Sequence, residues 1–559
     1  MSHSRPIVDP RGVRNPRLPS GWTLIAVAIA LPIAVPIVAV LLYFFAPASE
    51  TWIHLRETVL VEYISNTVTL LLSVACIASL LGVGCAWLTA TKEFPGRSVF
   101  TWLLILPLAA PSYVVAYAYG DLFSNLSQLH PWLQQVTALD IRIPSIRSLP
   151  GAALILGFTL YPYVYLLAYN AFAEQAAPMS EAARTLGVAP RRIFFKIALP
   201  HARPAIAGGL ALALMETAAD FGVVEFFGVP TLTNGIFRTW YAMGEHQAAM
   251  QLAGWLFIIV ALLVVFEHIA RRGGHANPVS RNAPGARSQL FGWRSYVALS
   301  CCVLPLLFGL FTPVLVLLKH TVVVGDPTFG ISFLSYIGNT VLVATITAVL
   351  AVLLSLCLTY ATRLQGNRKL LRISVRTATL GYAIPGMVLA IGVLGPLTMV
   401  DRTIAQWVQT TFDVNIGLLM TGSIAALVFV YLARFLTVSF NSVDGGLTRV
   451  HSNYDAAARS LGMKPVQLLN RIHVPLVTPA LVTALLLVFV DVVKELPATL
   501  ILRPFNFETL ATRAYRLASD ERIAEASTAA LLILLVGLIP TLVLAAQRFG
   551  IQRPSLRRV

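Results

Sequence analysis

Two stretches of the chain place charge where the neighbouring residues are apolar. GGLALALMETAADFGVVEFFG (208–228) carries Glu216, Asp220 and Glu225, and LVTALLLVFVDVVKELPATLI (481–501) carries Asp491, Lys494 and Glu495. An offset of 275 residues maps Glu216 onto Asp491 and Asp220 onto Glu495. Counted from Pro204 and Pro479 at ~1.5 Å per residue, Glu216 and Asp491 fall about 18 Å along their helices. Asp220 and Glu495 then lie one turn further out on the same faces, at i, i+4 spacing. Each charge would cost on the order of 3 kcal/mol facing lipid at a bilayer centre, so these side chains are expected to face protein or a water-filled path. Carboxylate oxygens suit a hard cation. No His or Cys cluster accompanies them, so metal contact at Glu216, Asp220, Asp491 and Glu495 is expected to be transient. The competing reading is structural: pairing between helices, for example with Lys494, or protonated carboxyls bonded to backbone carbonyls; Lys494 itself is expected to pair with Asp491 or to snorkel outward. Glu225 maps to Leu500, points away from Glu216 and is given no role.

The elements that must hold these residues form a membrane bundle. The 559 residues are 57% hydrophobic and only 12% charged, with mean hydropathy +0.75, against about 25% charged residues in a soluble domain. Twelve segments have the roughly 20 apolar residues that a crossing helix needs: 22–45, 66–90, 99–120, 151–172, 205–227, 248–270, 296–318, 338–361, 374–400, 416–438, 479–501 and 527–547. Long apolar runs without period-2 alternation exclude an outer-membrane barrel. The fold class is an all-α polytopic membrane protein. If the basic N-terminus is inside, most of the 41 Lys and Arg residues fall in inside segments, as the positive-inside rule requires, and both termini are cytoplasmic. The net charge of +16 is spread over these loops, not gathered on one face as nucleic-acid binding would need. The five cysteines lie in the spans and read as small apolar fillers. The first span is too long for the apolar region of a signal peptide and reads as a retained anchor.

The chain repeats itself. YISNTVTLLLS (63–73) matches YIGNTVLVATI (336–346), and PLAAPSYVVAY (107–117) matches GYAIPGMVLAI (381–391). The expected organisation is a first six-span unit at 1–270, a Gly/Pro/Ser-rich basic cytoplasmic linker at 271–295, and a second six-span unit at 296–559. An even number of spans gives two parallel repeats, with a pathway between them. Each unit also keeps one polar segment between its fourth and fifth spans, within loops at 174–204 and 443–478: EAARTLGVAPRRIFFKIALP (181–200) and AAARSLGMKPVQLLNRIHVP (456–475). Gly187 and Gly462 are natural helix stops, and Pro190 and Pro465 stand where a new helix can begin. Two short helices meeting at a glycine make a knob that fits a groove on another protein, whereas a plain solubilising loop would not need matched Gly and Pro in both copies.

These segments resemble the EAA signature of permease subunits of binding-protein-dependent ABC importers, matching at Glu181, Ala182, Ala183, Gly187, Ile197, Leu199 and Pro200. The second copy matches at Ala457, Ala458 and Gly462, has Ala456 where Glu is expected, and carries Asp455 just before it. The resemblance implies the type I importer permease fold in two fused copies and ATPase coupling through Glu181, Ala182, Ala183, Gly187, Asp455, Ala457, Ala458 and Gly462. It also implies a multi-pass protein of the bacterial inner membrane. ETAADFGVVEFFGVPTLTNGIFRTWY (216–241) and KELPATLILRPFNFETLATRAYRLASDE (494–521) resemble the fused permeases of ferric-iron importers, with the thiamine permeases as rivals. That implies a cytoplasmic ABC ATPase homodimer, which holds ATP and Mg, and a periplasmic binding protein for ferric iron. This chain itself would be no enzyme and bind no cofactor. Consistently, none of its six lysines is followed by Ser or Thr, as a phosphate-binding loop requires. An ion-coupled secondary transporter also uses parallel repeats and buried acids, but has no need of a docking knob. Arg238, Arg503, Arg513 and Arg516 in the outer loops are offered as partners for acidic patches on a docking protein, with solvated loops as the alternative. His130, His246 and His320 are scattered and read as surface residues.

Overall fold

The computed structural model describes residues 21–128, 144–175, 183, 185–271, 287–366 and 368–549. The first half supplies α1 (Gly21–Phe44), α2 (Leu60–Thr91), α3 (Ser112–Ser127), α4 (Leu149–Ala173), α5 (Pro190–Ala219) and α6 (His246–Ala270). The second supplies α7 (Trp293–Val323), α8 (Ile331–Gln365), α9 (Gly386–Phe412), α10 (Ile424–Leu447), α11 (Pro465–Val493) and α12 (Ile523–Leu542). All are long and apolar enough to cross a membrane once α3 is joined to the arm Arg97–Ala109, from which it bends by 89°. The protein is thus an all-α polytopic membrane protein.

Four expected spans are not single helices. Segment 99–120 breaks before Pro111 and segment 374–400 before Pro385, because proline lacks an N–H and forces the residue before it out of the helical region. Segments 205–227 and 479–501 break at Asp220 and at Lys494–Leu496. Only the short helices Gly222–Phe226 and Pro497–Leu502 continue beyond these breaks.

The repeated Asn-Thr pair ties each half together in the same way. On α2, Asn66 donates to the Pro230 carbonyl at 3.0 Å and Thr67 accepts from the Leu232 N–H at 3.0 Å. On α8, Asn339 donates to the Glu508 carbonyl at 2.9 Å and Thr340 accepts from the Leu510 N–H at 2.9 Å. Both pairs therefore fix the loop that follows the charged segment of their own half. The halves also interlock. Helix α1 packs on α8 and α9 of the second half as well as on α6, and α7 packs on α2, α3 and α4 of the first half as well as on α12. One hydrophobic core consequently runs through both halves.

Candidate functional site

The acids meet in one cavity of about 100 Å³ between the halves. Its walls include Ser112, Tyr113, Glu216 and Asp220 from the first half and Arg434, Asp491, Lys494 and Glu495 from the second. The structure thus brings all four expected carboxylates together, but in two different environments. Helix α5 stops at Ala219, and Asp220 is extended. Its carboxylate accepts from the Val223 N–H at 2.9 Å and from the Ser112 hydroxyl at 2.5 Å. Glu495 lies past the end of α11 and accepts from the N–H groups of Ala498 and Thr499, each at 3.1 Å, and from the Thr499 hydroxyl at 2.9 Å. Both side chains answer the unpaired N–H groups at the start of the next short helix. The expected i, i+4 stacking on a continuous helix face is therefore corrected: Asp220 and Glu495 sit at helix breaks and serve as caps. Glu216 and Asp491 remain on their helices and present their carboxylates to the cavity.

Arg434 on α10 was given no role from the sequence. It is 7% exposed and stands between the halves, with Nη1 3.1 Å from Glu495 and Nη2 3.7 Å from Glu216. A Cβ on Gly386 would come within 2.5 Å of Arg434 Nη1 and 2.7 Å of Glu495 Oε1, so a larger residue at the start of α9 would have to displace the ends of this pair. The signal was available: Arg434 interrupts an apolar run just as the acids do. Lys494 Nζ is 2.9 Å from Asp491 Oδ1, so this pair forms as the structural reading expected. The same pair, with Tyr163 and Leu108, also walls a second cavity of about 430 Å³ that reaches Arg449, on the side of the polar loops.

The two polar segments have matching turns. Gly187 and Gly462 both have φ +76°, the left-handed region that other residues avoid. The Val188 N–H bonds the Ala183 carbonyl at 3.0 Å, and the Met463 N–H bonds the Ala458 carbonyl at 3.1 Å, as in a glycine-terminated helix. Ala183 and Ala458 are buried, Ala457 is exposed, and Leu186 and Leu461 are each 81% exposed. Glu181 and Ala182 lie outside the described residues. Asp455 faces its own chain: it accepts from Arg363 Nε at 2.8 Å and from His473 Nε2 at 2.7 Å. Arg363 also donates to the carbonyls of Leu447 and Val450 at 2.6 and 2.9 Å, stapling this loop to α8. Burial alone would raise the Asp455 carboxyl, but the Arg363 and His473 hydrogen bonds outweigh it and hold it below the ordinary carboxylate value.

The outer-loop arginines find partners within the chain. Arg513 is buried and paired with Asp326 at 2.8 Å, so it is no docking residue. Arg503 and Arg516 both approach Glu508, and Arg238 lies 3.9 Å from Glu225. His320 bonds Asp121 at 2.8 Å, His246 packs on Trp240, and His130 lies outside the described residues. No group of three or more metal-ligating side chains occurs among the described residues. All five cysteines are free.

The family model for the binding-protein-dependent transport system inner membrane component matches the chain twice, at 78–269 and 351–553. The Fe(3+)-transport system permease protein FbpB 2 of Haemophilus influenzae is 25% identical over 552 residues, covering 96% of this chain and all of that protein. The sulfate transport system permease protein CysW of Synechocystis is 26% identical over 271 residues, 46% of this chain and 95% of that protein. The molybdenum transport system permease protein ModB of Escherichia coli is 29% identical over 211 residues, 36% of this chain and 89% of that protein. The match to half-length permeases and to a full-length one agrees with two fused copies. With more than half of its residues matched, the chain belongs to the binding-protein-dependent transport system inner membrane components, as a multi-pass inner-membrane permease of an ABC importer whose ATPase and substrate-binding protein are separate subunits.

Proposed function

We propose that this permease passes ferric iron from a periplasmic binding protein to the cytoplasm by alternating access, with Glu216, Asp220, Asp491 and Glu495 lining the route. The observation that carries the reading is the convergence of four carboxylates from both halves on one cavity. About 100 Å³ holds about three water molecules at ~30 Å³ each, a size suited to an ion with part of its hydration shell and small for an organic cation such as thiamine. The full-length likeness to an Fe(3+) permease points the same way, and the excess of acids over bases in the cavity disfavours an oxyanion. Iron contact on this route is transient.

The partner ATPase is a homodimer that binds ATP and Mg, and this chain binds no cofactor. The ATPase docks on the segments containing Glu181, Ala182, Ala183 and Gly187 and Asp455, Ala457, Ala458 and Gly462. Within the second segment, Asp455 keeps the knob seated on α8 and α11, and the exposed Ala457 and Leu461 supply contact. The two six-span units are 1–270 and 296–559, joined by a cytoplasmic linker at 271–295, with both termini cytoplasmic.

The test is uptake of radiolabelled ferric iron by cells that hold the partner ATPase and binding protein, with and without this chain. Unlabelled thiamine, sulfate and molybdate serve as competitors. Chain-dependent uptake that ignores all three competitors supports ferric iron. Uptake abolished by thiamine, or no iron signal at all, overturns it.

A further inference from the structure

The acids of the cavity obey the repeat and the bases do not. The offset that maps Glu216 onto Asp491 and Asp220 onto Glu495 maps Arg434 onto Thr159 and Lys494 onto Ala219. Thr159 and Ala219 line the same cavity, so the first half offers a neutral side chain at each place where the second offers a cation. Four carboxylates and two bases share the space, which leaves an acidic excess when all are ionised. The two bases are also held unequally. Arg434 is anchored at 3.1 Å on Glu495, itself fixed by three further hydrogen bonds, but reaches Glu216 only at 3.7 Å. Lys494 has a single ion pair among the described residues, to Asp491, in the wall shared by the two cavities. Arg434 Nε and the Tyr113 hydroxyl, on side chains more than nine-tenths buried against the cavity, have no hydrogen-bond partner among the described residues.

We propose that Arg434 and Lys494 are displaceable counter-ions. They occupy the cation-receiving carboxylates Glu216 and Asp491 while the route is empty, and they yield to an incoming polyvalent cation. The inference rests on the cation-pathway reading. Glu495 acts as the fixed tether of Arg434, and Glu216 is the carboxylate that exchanges partner. A monovalent ion cannot match the attraction of a tethered guanidinium or ammonium, whereas a trivalent ion exceeds it, because Coulomb energy scales with charge at a given distance. The bases therefore set valence selectivity, and they keep cation contact transient by returning to the acids once the cation has moved on. One half carries both bases, so the release step is built into the second half alone.

The test gives each base the residue found at its repeat mate. Arg434→Thr, Lys494→Ala and the double variant are purified in complex with the partner ATPase and titrated with Tb³⁺, a hard trivalent ion whose emission is sensitised by nearby tyrosines such as Tyr113 and Tyr163. The double variant should bind Tb³⁺ about tenfold or more tighter than the wild type, and adding Glu216→Gln with Asp491→Asn should remove the gain. Lys494→Ala, whose side chain is 28% exposed in the wild type, carries the test by itself if Arg434→Thr fails to assemble. Binding no tighter than wild type, or a gain that survives Glu216→Gln with Asp491→Asn, overturns the counter-ion role. Iron uptake is measured in parallel on Glu216→Gln with Asp491→Asn. If that variant loses uptake while the base variants bind Tb³⁺ no tighter, the pathway stands and the counter-ions fall. If it transports normally, the pathway reading falls and the proposal with it.

Discussion

Replacing Glu495 by alanine should unsettle this protein far more than replacing Glu216, although both are acids of one cavity. Glu495 is 5% exposed and accepts four hydrogen bonds, one of them from the buried Arg434. Removing one partner of a buried ion pair costs about 3–5 kcal/mol, and loss of a helix cap adds about 1 kcal/mol. Glu216 makes only a 3.7 Å contact with Arg434 and its side chain is 26% exposed, so its removal should cost less than about 1 kcal/mol. With an unfolding entropy of about 2.1 cal/mol/K per residue, a chain of 559 residues loses on the order of 1 °C in Tm per kcal/mol. Glu495→Ala should therefore lower Tm by about 4 °C, and Glu216→Ala by about 1 °C or less. Replacing both members of the pair, Glu495→Leu with Arg434→Met, should recover most of the loss, since no buried charge is then stranded. The assay is tryptophan fluorescence of the purified chain, heated in one detergent at one scan rate. Equal Tm values for Glu495→Ala and Glu216→Ala, or a double variant as unstable as the single, would refute the division into anchor and pathway acids.

Asp455→Asn should loosen the second knob in a pH-dependent way. The carboxyl is held below its unfolded value of about 3.9, so its stabilisation is complete above that value and is lost as pH falls through the folded one. The Tm gap between wild type and variant should be open near about pH 7 and close below about pH 4; a gap independent of pH would contradict it. Gly187→Ala and Gly462→Ala meet no atom within 4 Å but must adopt φ +76°, at about 1–2 kcal/mol each. Transport-coupled ATP hydrolysis by the assembled complex should fall while the permease Tm moves little; unchanged coupling in both variants would count against the knobs. Gly381→Ala would place a Cβ 1.7 Å from the Ala433 carbonyl oxygen, next to Arg434, so the monodisperse peak on size-exclusion chromatography should be lost. Gly395→Ala, with no atom within 4 Å, should keep that peak.

The bundle was legible because its signals are local and repeated. Apolar length marked the spans, and the matched Asn66-Thr67 and Asn339-Thr340 marked two copies that bond their outer loops alike. Gly187 and Gly462 could be read as helix stops because their positive φ is a backbone demand. The breaks after Ala219 and Val493 were not legible from apolar length, since each acid ends one helix by capping the next. Arg434 escaped because its partners lie on α5 and beyond the end of α11, distant in sequence, and only packing brings them to it. Arg513 looked like a surface cation, but its partner Asp326 lies in the loop between α7 and α8, 187 residues away. The Asp455 latch likewise depends on Arg363, 92 residues away.

Passage of polyvalent cations between the halves is proposed to run by way of Glu216 and Asp491. Its most direct test is radiolabelled ferric iron uptake by Glu216→Gln with Asp491→Asn, in cells holding the ATPase and binding protein, alongside ATP hydrolysis by the purified complex. Uptake at background with hydrolysis retained is the result expected of an assembled importer whose route has lost its receiving carboxylates. Uptake at the wild-type rate would contradict the claim.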